Sequence, residues 1–329
     1  MISIVIPTYN SAKFMPNLLD SIFKNKIDDM EVVIVDDLST DDTVEIAKKY
    51  PVSVIELEKN GGPARARNIG VGEAKGDIIF FLDSDVVVMD GTIKEVEDYF
   101  RNDPSAQCVI GICATEPLNK GFVPKYMAMF EYIHLLDTPG NKVTVFAPRC
   151  GAIKKELFRD LGGYREKYKG ADVEDFELAR RICKVENIYL NPKILVRHQF
   201  VNNSEEAIKN YFKRAVMWIH LFLKDKQFDN AGPTSPSNGI AAICSFMSIL
   251  ALLTAPFLGW TLPLFSLLIV TFVFVNLRWW NFMRKEAGFG FAMKALALNY
   301  VLGIDIILAS LYGTITYYFK KDSRIKVSS

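Results

Sequence analysis

The last third of the chain limits its folding more than any other feature. Charged residues are spread evenly as far as residue 230, and from Gly239 onward the sequence turns apolar. Three apolar stretches follow: "GIAAICSFMSILALLTAPFLGW", "TLPLFSLLIVTFVFVNL" and "ALALNYVLGIDIILASLYGTITYYF". A helix crossing a bilayer needs about 20 mostly apolar residues. The first and third stretches meet that length and the second is marginal, which predicts two to three spans. Gly259 to Pro263 predicts a tight turn joining the first two as a hairpin. A water-soluble core would need three helices with almost no polar face, an arrangement rarely stable in solution. The turn-rich "DNAGPTSPSN" before Gly239 marks a linker. The chain is therefore expected to divide into a domain at residues 1–203, an amphipathic helix with linker at 204–238, and a membrane domain at 239–329.

The first domain alternates short apolar runs with amphipathic helices. Strands are expected at Ile2–Ile6, Glu31–Val35, Val52–Leu57 and Ile78–Leu82, with helices near Ala12–Lys24, before Tyr50 and after Pro63. This pattern predicts an α/β fold with a mostly parallel sheet covered by helices on both faces. Polar residues gather just past the strand ends: Thr8-Tyr9-Asn10, Asp36-Asp37 and Asp83-Ser84-Asp85. In open α/β sheets that edge binds ligands. Asp83 and Asp85 repel one another and are costly to desolvate. Two readings answer this: a solvated turn, or a cation between carboxylates that an extended strand points to one side. Asp36 is read equally as a turn residue or a ligand contact.

With 39 Lys and Arg against 38 Asp and Glu, the net charge of +1 gives no electrostatic case for nucleic acid. The five cysteines lack metal-type spacing and read as reduced thiols of a cytosol-facing protein. "ISIVIPTYN" directly after Met1 has no basic flank or cleavage site, so no signal peptide is expected.

The blocks "SIVIPTYN", "VVIVDDLSTDDT", "NGGPARARNIG" and "FFLDSD" resemble, in order and spacing, the nucleotide-sugar half of family 2 glycosyltransferases with the GT-A fold, a Rossmann-like sheet with flanking helices. The resemblance covers roughly the first third of the chain. It implies that Thr8 and Asp37 meet the base, that Pro7, Tyr9 and Ser84 belong to the same nucleotide site, that Arg67 approaches the base or diphosphate, that Asp83 faces the ribose, and that Asp85 ligates Mg²⁺ or Mn²⁺ on the diphosphate of a UDP- or GDP-sugar. In "CGAIKKELFRDLGGYREKYKGADVEDFELARRI" the Glu174-Asp175 pair matches the family's acceptor side, with Asp175 as general base. The bland alternative is that "DVED" caps the helix Phe176–Val185. His198, in "LVRHQF", would complete the metal site.

"SEEAIKNYFKRAVMWIHLFLKD" predicts a helix with one broad apolar face, lying on a membrane or packed on a core. "NYFKRAVMW" lacks the Gln-x-x-Arg-Trp signature of processive synthases, which implies a non-processive enzyme. "FVPKYMAMFEYIHLLD" is a core helix or a lipid-acceptor groove. "LRWWNFMRKEAGFGFAMK" is basic and suits the cytosolic side, with Trp279 and Trp280 at the interface. A third span then places "KKDSRIK" outside, against the positive-inside rule, unless the last stretch is re-entrant around Gly303 and Asp305.

The resemblance implies a membrane-bound inverting hexosyltransferase of cell-envelope glycan synthesis. It would be multi-pass, with the catalytic domain on the cytoplasmic face. It would move sugar from a nucleotide-sugar to a hydroxyl of a lipid-linked or glycan acceptor. The alternatives are transfer to polyprenyl phosphate, as in dolichyl-phosphate mannose synthases, and a non-catalytic membrane scaffold with a degenerate nucleotide fold.

Overall fold

The structure is a computed structural model that describes residues 1–168, 170, 173–229 and 235–319. The chain forms two compact units. One holds Met1–Asn119 and Leu135–Phe200, and the other holds Lys120–His134 and Val201–Ser329.

In the first unit the chain runs β1 (Ile2–Thr8), α1 (Met15–Lys24), β2 (Met30–Asp36), α2 (Thr43–Ala47), β3 (Ser53–Glu56), α3 (Pro63–Glu73), β4 (Ile78–Leu82), β5 (Val86–Val88), α4 (Thr92–Asn102) and β6 (Cys108–Cys113). After α5 (Phe122–Leu136) it continues with β7 (Lys142–Val143), β8 (Cys150–Lys154), α6 (Lys155–Asp160), α7 (Glu174–Ile182) and β9 (Ile188–His198). The sheet order is β3-β2-β1-β4-β8-β6-β9-β5, with β7 paired to β9. β3, β2, β1 and β4 are parallel. β8 then enters antiparallel between β4 and β6, and β5 and β7 run against β9. The sheet is thus mixed rather than uniformly parallel, while β6 and β9 remain parallel to each other.

The helices follow from their apolar spacing. α1 buries Met15, Leu18, Leu19 and Ile22, a 3–4 repeat along one face, and has a proline in its first turn. α3 instead buries small residues, Ala64, Ala66 and Gly70, together with Arg67. Small side chains let its backbone approach β1 and β2 closely. A Cβ on Gly70 would stand 2.5 Å from Val5 Cγ1 and 3.1 Å from Val35 Cγ2. Beneath the other helices Phe81 meets Phe158 and Tyr164 at ring separations of 5.5 and 5.7 Å.

The second unit contains α5 up to His134, α8 (Ser204–Asp225), α9 (Pro236–Thr254), α10 (Thr261–Ala287) and α11 (Phe289–Phe319). α9, α10 and α11 are each long and apolar enough to cross a membrane. α11 is one continuous helix through Gly303 and Asp305, so the structure does not take the re-entrant reading. The predicted tail "KKDSRIK" and residues 230–234 of the predicted linker lie outside the described residues. α8 packs along α11: Phe212 meets Tyr312, and His220 Nε2 lies 2.8 Å from the Gly313 carbonyl and 2.9 Å from Thr316 Oγ1. α5 joins the same unit, with Tyr126 buried beside Trp279 and Met283 in one apolar cluster. The stretch after the hairpin is helical on both sides of Gly288, which sits at φ 89°. Trp279 is buried in the cluster that holds Phe130 and Met283, and its indole N–H donates to Asn276 Oδ1 at 2.6 Å.

The close approach of α3 yields a paired test. Gly70→Val is expected to lower stability by about 1–3 kcal/mol through overpacking. Gly72→Ala, on the same helix with nothing within 4 Å of a built Cβ, should be neutral or stabilising by up to about 1 kcal/mol. Thermal melting of both variants checks the contrast.

Candidate active site at the sheet edge

Register brings the polar strand ends together. β1 and β2 are aligned so that Thr8 faces Asp36, and β1 also pairs with β4. The Asp37 N–H donates to the Thr8 carbonyl at 2.8 Å. The Asp37 carboxylate accepts from the Gly61 and Gly62 N–H groups at 2.8 and 2.7 Å, so it fastens the "NGG" loop to the end of β2. Gly62 takes φ 85° there, a conformation suited to glycine. Asp36 accepts from the Ser39 N–H at 2.9 Å, across a turn in which Leu38 is left-handed at φ 70°. Of its two readings, the structure shows the turn contact. Pro7 is buried and Tyr9 is exposed. Thr8 is also buried, and its Oγ1 has no hydrogen-bond partner among the described residues.

The aspartates of "DSD" do not lie on an extended strand. They occupy the turn between β4 and β5 and are served by different partners. Asp83 accepts from Arg67 Nη2 at 2.7 Å. The Ser84 hydroxyl lies 2.8 Å from that of Ser11. Asp85 lies 3.5 Å from His198 Nε2. Strand pairing explains that last contact: Val86 faces His198 across β5 and β9, and the Gln199 N–H donates to the Asp85 carbonyl at 3.0 Å. Burial pushes the Asp85 carboxyl up, but the His198 ring and the Arg149 charge outweigh it and hold the group below its ordinary value.

Arg67 is turned inward, not toward the strand-end surface. The residue is 4% exposed. Besides Asp83 it reaches Glu174 Oε1 at 3.3 Å, with the Tyr164 ring 5.4 Å from its central carbon. Burial disfavours the cation, and Asp83, Tyr164 and Glu174 more than offset this, so its pKa is raised and it stays charged. Glu174 is likewise buried, at 4% exposed. Asp175 is half-buried at the start of α7, and its Oδ1 accepts from the Phe176 N–H at 2.9 Å. Acidic residues at the start of α7 and Arg180 and Arg181 at its end both favour the helix dipole. The N-cap of α7 is Val173, with no side-chain cap hydrogen bond, so Asp175 contributes to the helix through the dipole and not as its cap.

Every candidate residue lies in the first unit. Three neighbours were missed in the sequence: Ser11, Tyr164 and Arg149. For Arg149 the signal was structural. It precedes Cys150, which pairs with Leu82, the residue before Asp83.

Among the described residues no three His, Cys, Asp or Glu side chains form a metal cage. Asp85 and His198 supply one carboxylate and one imidazole, and His198 Nδ1 is buried without a partner among the described residues. Mg²⁺ is typically held by one or two protein carboxylates together with substrate phosphates and water, and Mn²⁺ readily accepts imidazole. The donor set fits such an ion, with coordination positions left for a diphosphate.

Residues 3–162 match the family model described as Glycosyl transferase family 2. An uncharacterized glycosyltransferase of Haemophilus influenzae is 32% identical over 186 residues, covering 54% of this chain and 61% of that protein. The chain thus spans less than two thirds of that relative's length. The O-antigen chain rhamnosyltransferase RfbN of Salmonella typhimurium is 26% identical over 249 residues, covering 70% of this chain and 76% of RfbN. The mannosyltransferase PcManGT of Pyrobaculum calidifontis, solved with GDP-Man and Mn²⁺, superposes with a TM-score of 0.59 at 20% identity, covering 98% of this chain and 88% of that one. That likeness concerns the fold, a mixed α/β sheet of the GT-A kind with flanking helices. The sequence blocks and the family match agree on glycosyl transferase family 2 for residues 3–162, and three apolar helices of membrane-spanning length follow later in the chain.

Proposed function

We propose that the protein is a membrane-bound inverting glycosyltransferase that moves one sugar from a UDP- or GDP-sugar to a hydroxyl of a lipid-linked or glycan acceptor. The observation that carries this reading is the convergence of Thr8, Asp37, Asp83 and Asp85 at adjacent strand ends, with Asp175 held to the same edge through Glu174 and Arg67. Thr8, with Pro7, Tyr9 and Asp37 around it, receives the base. The unpartnered Thr8 hydroxyl suits a ligand polar group. Asp83 and Ser84 face the ribose. Asp85 and His198 hold Mg²⁺ or Mn²⁺, which when bound offsets the charge of the departing diphosphate.

Asp175 performs the proton step. A sugar or lipid-borne hydroxyl is a weak nucleophile at neutral pH and needs a positioned carboxylate. Asp175 takes the hydroxyl proton as its oxygen attacks the anomeric carbon from the face opposite the diphosphate. The bond to the diphosphate breaks, the electron pair leaves with it, and configuration inverts. The Phe176 N–H fixes one carboxyl oxygen and so orients the group. RfbN, by name, acts on an O-antigen chain, and the three apolar helices suit an acceptor presented at a membrane. The cytosolic supply of nucleotide-sugars supports a catalytic unit on the cytoplasmic face, in cell-envelope glycan synthesis.

Asp175→Asn is expected to keep the melting temperature and donor affinity yet lose transfer by 10²–10⁴-fold, about 3–5 kcal/mol of barrier. Transfer near the parent rate would remove the hydroxyl mechanism and favour an already ionised acceptor such as polyprenyl phosphate. A second test removes the metal. EDTA, or Asp85→Ala, should weaken UDP- or GDP-sugar binding, with Mn²⁺ restoring only the parent protein. Unchanged affinity by titration calorimetry would contradict the metal role.

A further inference from the structure

The family resemblance assigns Arg67 to the nucleotide and Glu174 to catalysis, yet both residues are only 4% exposed. Each of the two terminal nitrogens of Arg67 is committed to a different segment. Nη2 donates to Asp83 in the β4–β5 turn at 2.7 Å, and Nη1 donates to Glu174 on α7 at 3.3 Å. Arg67 and Glu174 are 107 residues apart in sequence. A single guanidinium thus ties the donor-side turn to the helix that carries Asp175.

The clamp is itself fixed. Tyr164 lies over the guanidinium at 5.4 Å. Asn68, one residue after Arg67, holds the Tyr164 backbone at both groups: its Nδ2 donates to the Tyr164 carbonyl at 2.9 Å, and its Oδ1 accepts from the Tyr164 N–H at 2.8 Å. Phe81 and Phe158 pack against the same ring at 5.7 and 5.6 Å. Arginine suits this place because its planar fork can satisfy two carboxylates at once, whereas a lysine presents a single point charge.

We propose that Arg67 and Glu174 are positioning residues whose ion pair sets the distance between the donor-binding turn and Asp175, and that neither contacts substrate. The inference rests on the reading of Asp175 as general base. Displacement of a reacting group by about 1 Å can cost on the order of 10²-fold in rate. The pair should therefore appear in kcat and not in the donor KM.

The test is Glu174→Gln in the full-length protein in detergent, with Mn²⁺ and the UDP- or GDP-sugar that the parent uses. It should keep the donor KM within about twofold and lose about 10–100-fold in kcat. Glu174→Asp, which keeps the charge with a shorter reach, should fall between parent and Gln and guards against a Gln variant that fails to fold. Combining Glu174→Gln with Arg67→Lys should cost no more in kcat than the worse single change, because both act through one contact. An unchanged kcat in both Glu174 variants, measured well below their melting temperatures, would overturn the proposal, as would a raised donor KM. Hydrogen exchange gives a readout independent of turnover: amides at the start of α7 should exchange faster in Glu174→Gln than in the parent, and equal rates would refute the clamp. A parent that transfers sugar from no donor would count against the proposed function, while the exchange result would still decide the clamp.

Discussion

The first unit depends on a charge that ought not to be inside it. A guanidinium removed from water carries a desolvation penalty of several kcal/mol, repaid only where partners are close and well aligned. Arg67 meets that condition with two carboxylates and an aromatic face. Removing one partner of such a group typically costs about 3–5 kcal/mol, because an uncompensated buried charge remains. The arrangement also answers the repulsion between Asp83 and Asp85. Each carboxylate has its own positive or donating neighbour, Arg67 for one and His198 for the other. The pair is thus tolerated without a cation between the carboxylates.

What was legible in the sequence was local. Strand β4 runs from Ile78 to Leu82 as the apolar run suggested, and the other three early strands are shifted by only one or two residues at their ends. The helix from Ser204 to Asp225 coincides with its polar start and apolar face. These features follow from periodicity and capping, which need only neighbouring residues. Strand order is different. Nothing in "CGAIK" distinguishes a parallel strand from β8, which inserts antiparallel between β4 and β6. The mostly parallel expectation holds for β3, β2, β1 and β4, whose connections carry helices, and the antiparallel members are β8, β5 and β7.

The candidate site shows the same division. The blocks that carry the family resemblance are short and contiguous, so Thr8, Asp37, Asp83 and Asp85 could be picked out directly. Their partners could not. His198 reaches Asp85 only through the pairing of Val86 with His198 across two strands far apart in the chain. Arg67 is assigned to the base or diphosphate only through the family resemblance. The sequence does not reveal that α3 turns this side chain to its buried face, among alanines. Its burial follows from close packing of α3 on β1 and β2, which is a tertiary fact.

The second unit raises the same question in a different solvent. α9, α10 and α11 each carry a long apolar stretch, so in lipid the hydrophobic effect would give them little reason to choose one another. What remains is close packing and polar contact. Gly303 lets α11 approach α9 so closely that an added Cβ would stand 2.9 Å from Ser245 Oγ and 3.1 Å from Ala242 Cα. Polar contacts supply direction: Asn276 Oδ1 accepts from Trp279 and Asn299, and Asn299 Oδ1 accepts from the Tyr126 hydroxyl at 3.0 Å. Tyr126 lies on α5, a segment that the chain contributes between β6 and β7 of the first unit. In hydrocarbon an unpaired asparagine is costly. The network therefore specifies which helices pair, where apolar surface alone would leave the choice open. Because α5 belongs to it, the second unit takes one of its helices from a segment that lies, in sequence, between strands of the first.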